Sequence, residues 1–157
     1  MIHPIIPCLW FDGKAEDAAR FYVSVFKNSK INDITYYGKE GYEIHNQTEG
    51  TVLTVEFEIN EQAFTALNGG PIFQFNESVS FQIFCDTQEE IDYYWSVMTA
   101  DGGEESYCGW LKDKYGLSWQ IVPSILPKLM KDPTRAGRIM DAFMQMRKLD
   151  IAQILEA

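Results

Sequence analysis

The chain has 157 residues, 46% of them hydrophobic and 14% aromatic, and a formal net charge of −10. That length and apolar content suffice for a packed domain burying roughly 70% of its unfolded surface, which excludes global disorder. The charge excludes a nucleic-acid face, which needs clustered Lys and Arg, and disfavours an anionic membrane surface.

No apolar run approaches the ~20 residues of a membrane span. The opening "MIHPIIPCLWF" has no basic segment and no small-residue cleavage site, so it reads as a first strand and not as a signal peptide. Cys8, Cys85 and Cys108 are odd in number and form no C-x-x-C pair, the pattern of a reduced cytoplasmic protein. Each lies in an apolar setting and is expected to be a buried structural thiol.

The first strand covers 5–11. A helix is expected over 13–26, with Asp12 as its N-cap and Ala15, Ala18, Ala19, Tyr22 and Phe26 on one face. Strands follow at 30–37, 51–59 and 62–70, with a turn at Asn60 and Glu61. The polar segment "GKEGYEIHNQTEG" separates the first two of these and carries His45, expected as a solvated loop histidine.

A second series begins at strand 79–86. Thr87 and Glu90 have capping-box spacing and open a helix through Met98, with Ile91, Tyr94, Trp95 and Met98 inward. Short strands are expected at 102–106, 108–113 and 117–122, with turns at Gly102–Gly103 and Tyr115–Gly116; the turn charges Asp113 and Lys114 read as solvated. Beyond Pro123 a short helix precedes a longer one, whose start is marked by Asp132 as N-cap and Pro133 at the first helical position. Its stripe of Ile139, Met140, Phe143 and Met144 suits packing or a dimer interface.

The order strand–helix–strand–strand–strand therefore occurs twice. "FDGKAEDAARFYVSVF" and "CDTQEEIDYYWSVM" repeat the same run from a strand end, through an acidic first turn, to an aromatic pair and S-V-(F/M). An α+β fold follows: two tandem βαβββ modules (1–70 and 78–123) in one domain over 1–123, with curved mixed sheets facing a cleft. Residues 124–157 form a C-terminal helical extension packed on that domain or on a dimer partner.

Three stretches, "LWFDGKAEDAARFYVSVFKNSKI" (9–31), "ALNGGPIFQFNESVSFQIFCD" (66–86) and "GWLKDKYGLSWQIVP" (109–123), carry a resemblance. The chain resembles the vicinal oxygen chelate superfamily of glyoxalase I, bleomycin-resistance proteins and extradiol dioxygenases. More narrowly it is similar to the PhnB-like branch, often labelled the 3-demethylubiquinone-9 3-methyltransferase domain. The metal-dependent members of that superfamily hold a divalent cation with four inward-facing His or Glu side chains. At the matching positions this chain offers Ile6, Pro7 or Cys8, then Leu67 and Asn68, then Val79 and Ser80, and finally Gln120 in place of the family's glutamate. No carboxylate remains among them, so no bound metal is expected.

The methyltransferase label implies S-adenosylmethionine, which in its common binding fold needs a glycine-rich turn between a strand and a helix. "LNGGP" follows a strand but leads into no helix signature, and reads as a turn. No cofactor is expected.

Strand alternation sets Ser118, Gln120 and Val122 on one face, where Gln120 shares the cleft with Ser80 and Gln82. Asn68, Cys8 and Trp10 are expected to join them, with Trp110, Phe73 and Phe75 in an aromatic wall. Such a neutral polar set in an aromatic frame orients a small molecule by hydrogen bonds. Gln120 has two open readings, ligand contact or structurally satisfied amide. The function expected is metal-free binding of a small molecule by a cytoplasmic homodimer. The alternatives are an enzyme with a non-standard site, or the methyltransferase activity of the family label; no nucleophile–base pair supports either.

Overall fold

The computed structural model describes residues 3–157. The chain separates into two compact units, residues 1–74 and 75–157.

In the first unit, β1 (Cys8–Phe11) leads into α1 (Ala15–Val25). Then come β2 (Lys30–Tyr36), a single helical turn α2 (Tyr42–His45), β3 (Val52–Ile59) and β4 (Gln62–Asn68). The sheet order is β1-β4-β3-β2, with β1 and β4 parallel and the other neighbours antiparallel. Period-2 alternation sends Leu9, Phe11, Val55, Phe57, Phe64 and Ala66 to one buried face. There Ala15, Ala18, Ala19 and Tyr22 of α1 pack on them, the small alanines allowing close approach and the Tyr22 ring stacking on Phe57.

Asp12 does not cap α1. The helix begins two residues later than that reading requires, with Lys14 at its N-cap position and no side-chain cap from it. The bond to the Ala15 N–H comes instead from Asn68 Oδ1, 53 residues away in β4. His45 is not a free loop residue either. Its Nδ1 accepts from the Gln47 N–H, which leaves Nε2 to donate to the Glu40 carbonyl, and its ring lies 4.6 Å from that of Tyr37.

The second unit repeats the pattern: β5 (Ser80–Cys85), α3 (Gln88–Thr99), β6 (Glu104–Glu105), β7 (Trp110–Lys112) and β8 (Ser118–Pro123). Its order, β5-β8-β7-β6, has the same form as the first sheet, again with the first and last strands parallel. The mixed α+β architecture expected from the tandem βαβββ modules is the observed one. Thr87 and Glu90 form both halves of the capping box of α3. Ile91, Trp95 and Met98 of that helix are buried, as are Leu111, Trp119 and Ile121 on the sheet.

Short helices α4 (Leu126–Leu129), α5 (Ala136–Met144) and α6 (Ile151–Glu156) complete this unit. Leu126, Ile139, Leu149 and Ile154 cluster with Val122 of β8. Asp132 closes a turn by accepting from Thr134, and α5 starts only at Ala136, beyond the expected N-cap. Met140 and Met144 remain about half exposed. Among the described residues no helix is long and apolar enough to cross a membrane.

Candidate functional site

In the second unit the α3-covered face of the sheet takes Leu111, Trp119 and Ile121. The alternate residues Ser80, Gln82, Trp110, Lys112, Ser118 and Gln120 therefore share the opposite face. Register sets Gln82 beside Gln120 and Trp110 across from it. Four of the seven expected site residues thus come together on one surface.

Gln120 Nε2 donates to Ser80 Oγ at 2.8 Å, and Gln82 Nε2 approaches Gln120 Oε1 at 3.4 Å. Gln120 and Ser80 are half-buried and Gln82 is exposed. Each amide presents two N–H donors and a two-lone-pair carbonyl, so this short chain leaves donors and acceptors unused toward the open side. All of it is uncharged.

Ser118, next along β8, is only 1% exposed, and its Oγ has no hydrogen-bond partner. A buried hydroxyl in that state costs on the order of 1–3 kcal/mol. It lines a recess of about 340 Å³ with Trp110, Tyr107, Leu111 and the ion-paired Lys112 and Glu77. That pair holds the Glu77 carboxyl below its usual range and raises the Lys112 ammonium, the direct hydrogen bond between them being the main cause in both. The Tyr107 end of the recess is fixed by backbone bonds from Cys108 N–H to the Met146 carbonyl and from Gly109 N–H to the Arg147 carbonyl. The parity that located Gln120 also marks Ser118. What sequence could not show is that strand packing would bury its hydroxyl without a partner.

Asp113 corrects an expectation. It is 2% exposed, not solvated, because one carboxylate gathers three donors. Oδ1 accepts from the Tyr115 and Leu117 N–H groups at 2.8 and 3.1 Å, and Oδ2 from Trp119 Nε1 at 2.9 Å. This shapes the β7–β8 turn that delivers Ser118 and Gln120 to their face.

The remaining expected residues lie in the first unit. Cys8 and Trp10 share one parity on β1. Trp10 Nε1 donates to the Gly70 carbonyl at 2.8 Å, and its ring meets Phe73 edge-on at 4.9 Å. A Cβ at Gly69 would collide with the Trp10 indole, so only glycine lets the ring close on this turn. Asn68 does not join Cys8 and Trp10. It pairs with Phe11 in the β1–β4 register and so points to the α1 side. There Oδ1 accepts from Ala15 N–H and Nδ2 donates to the Val52 carbonyl at 3.0 Å. Both ends of its amide are engaged by backbone.

The cysteines also differ from expectation. Only Cys85 is buried, whereas Cys8 is exposed and Cys108 half-buried. Burial, with the nearby Glu90 and Asp86 charges, pushes the Cys85 thiol up to about 12. It is an inert thiol at neutral pH.

Among the described residues no three His, Cys, Asp or Glu side chains gather as a metal-ligand group. Gln120 presents an amide N–H to Ser80 and carries no charge, so the donor set does not fit a divalent cation. Nor does the segment after Gly69 and Gly70 fit S-adenosylmethionine in its common fold. It runs through turns into β5, with no helix before α3 to receive a phosphate or ribose.

The chain matches the 3-demethylubiquinone-9 3-methyltransferase family over residues 3–122. The PhnB protein from Bacillus cereus is 34% identical, with a TM-score of 0.67 over 77% of this chain and 99% of its own. Protein PA1353 from Pseudomonas aeruginosa is 14% identical, with a TM-score of 0.60 over 78% of this chain and 98% of its own. The fosfomycin resistance protein FosX from Listeria monocytogenes is 17% identical, with a TM-score of 0.56 over 83% and 99%. These last two share the fold alone. No curated protein matches the chain. With a family match across three-quarters of its length and the doubled βαβββ architecture beneath it, the chain belongs to the 3-demethylubiquinone-9 3-methyltransferase-like (PhnB) family.

Proposed function

We propose that this protein binds a small molecule without a metal, using the open face of the second sheet. The observation that carries this reading is the Ser80–Gln120–Gln82 chain, which is neutral, partly satisfied and turned to the open side beside Trp110. A purely structural amide would exhaust its bonds on the protein, as Asn68 does. Here the donors and acceptors left over have nothing but solvent or a ligand to meet.

The test is a thermal-shift screen of small molecules on the full chain, together with native mass spectrometry for co-purified compounds. A true ligand at about 100 times its Kd adds about 2.7 kcal/mol, or about 5–10 °C in Tm for a chain of this size. Gln120→Leu is expected to abolish that shift while changing the stability of the free protein by about 1 kcal/mol or less. If no compound stabilises the wild type and Gln120→Leu only alters folding, the amide is structural and the reading fails.

The methyltransferase activity in the family's description finds no support in the glycine turns of this chain, and calorimetry with S-adenosylmethionine decides it directly. We favour a homodimer, with the exposed Met140 and Met144 of α5 supplying apolar surface. Sedimentation equilibrium is expected to give twice the chain mass, and a monomer at micromolar concentration rejects the dimer. The three free cysteines suit the reducing cytoplasm.

A further inference from the structure

The geometry points to a specific ligand class for this face: a neutral one- or two-ring aromatic molecule bearing a single hydroxyl or carbonyl group, seated in the recess beside β7 and completing the hydrogen bonding of Ser118. This rests on reading the open face as a binding surface, and it adds a residue, Ser118, on which that reading does not depend.

Four observations converge. The recess, about 340 Å³, lies at the small end of the range for ligand pockets, about 300–1,000 Å³, which suits one or two rings. Its aromatic walls are Trp110 and Tyr107. The Tyr107 ring is backed by the Arg147 guanidinium 5.0 Å from its centroid, which holds it as a fixed surface for stacking. Of the described residues that line the recess, Lys112 and Glu77 carry full charges, and they are paired with each other. A charged ligand would have to break that pair, whereas a neutral one leaves it intact.

Ser118 supplies the polar element. Its hydroxyl is one donor and two acceptors, all unused, in a position water does not reach. Lys112 lies directly across from Ser118 in the β7–β8 register, and its long side chain is paired with the exposed Glu77. A neutral ligand reaches the hydroxyl by displacing the two side chains together, still paired. A phenolic O–H or ring carbonyl arriving there gains a partner that water cannot replace, which makes Ser118 a determinant of specificity.

The probes are p-cresol, toluene and benzoate, with binding to the full chain followed by chemical-shift titration. p-Cresol is expected to bind the wild type with toluene weaker, and benzoate not at all. Ser118→Ala is expected to weaken p-cresol about tenfold and leave toluene unchanged, since it removes a hydrogen bond and no wall. Trp110→Leu is expected to weaken both. Ser118→Ala should fold with an unchanged or higher Tm, because it deletes an unpartnered hydroxyl. A lower Tm shows that the hydroxyl has a partner in the free protein and overturns the inference. So does p-cresol binding that ignores Ser118→Ala, or benzoate binding as well as p-cresol. A screened ligand that requires Gln120 yet ignores Ser118 overturns this subsite while leaving the broader reading intact.

Discussion

Replacing Asp113 by alanine is expected to lower the unfolding free energy by about 3–5 kcal/mol, or about 6–20 °C in Tm. The carboxylate is buried and accepts from the Tyr115 N–H, the Leu117 N–H and Trp119 Nε1. Hydrogen bonds to a charged acceptor are worth about 1.5–3 kcal/mol each, and deletion leaves three donors unmatched in and beside the core. Asp113→Asn keeps the shape but cannot accept on both atoms, so it forfeits either the Trp119 bond or the two backbone bonds, and should fall in between. Lys114→Ala, one residue on, is the control and should stay within about 0.5 kcal/mol, since its ion pair with Asp101 spans 3.9 Å beside an exposed carboxylate. The expected order is thus alanine below asparagine below wild type by urea midpoint. An Asp113→Ala protein as stable as the Lys114→Ala control would mean that the turn does not depend on this carboxylate.

Asp113 also shows where local reading of a sequence stops. The stretch "DKYGLSWQ" presents two charges and a glycine, the composition of a solvated turn, and the turn is there. Whether its aspartate faces water or folds inward depends on Trp119, whose indole N–H lies on the buried face and requires an acceptor. The capping box of α3 was legible because both of its members fall within four residues. The cap of α1 was not, because its acceptor arrives on a strand 53 residues downstream. Parity set Gln120 with Ser118, since alternation along a strand is local; that Ser80, Gln82 and Trp110 share their face follows from the register of β5 and β7 against β8. Asn68, expected beside Cys8 and Trp10, lies on the other face, because across the β1–β4 pairing it stands opposite Phe11 and not Trp10. The orphaned hydroxyl of Ser118 belongs to a third kind of fact. It depends on what neighbouring strands fail to provide, and no pattern within β8 encodes that.

Asn68 yields the second large effect. Asn68→Ala is expected to cost about 2–4 kcal/mol: about 1 for the lost bond at the start of α1, and the rest for the unpaired Val52 carbonyl and the space left at a buried site. Asn68→Asp separates these contributions. It keeps an acceptor for the Ala15 N–H and places a negative charge where the α1 dipole favours one, but it loses the donor to Val52 and sets a carboxylate against that carbonyl. It should therefore recover only part of the loss. Asp12→Ala is the decisive comparison, because the sequence pattern assigns the cap to Asp12 and the structure assigns it to Asn68. Asp12 is exposed, so its removal should change stability by no more than about 0.5 kcal/mol. Amide exchange at Ala15 gives a site-specific readout, with protection expected to fall in Asn68→Ala and to hold in Asp12→Ala. The reverse pattern would return the helix start to its local sequence. It would also free the Asn68 amide of one backbone partner and reopen its candidacy as a ligand contact.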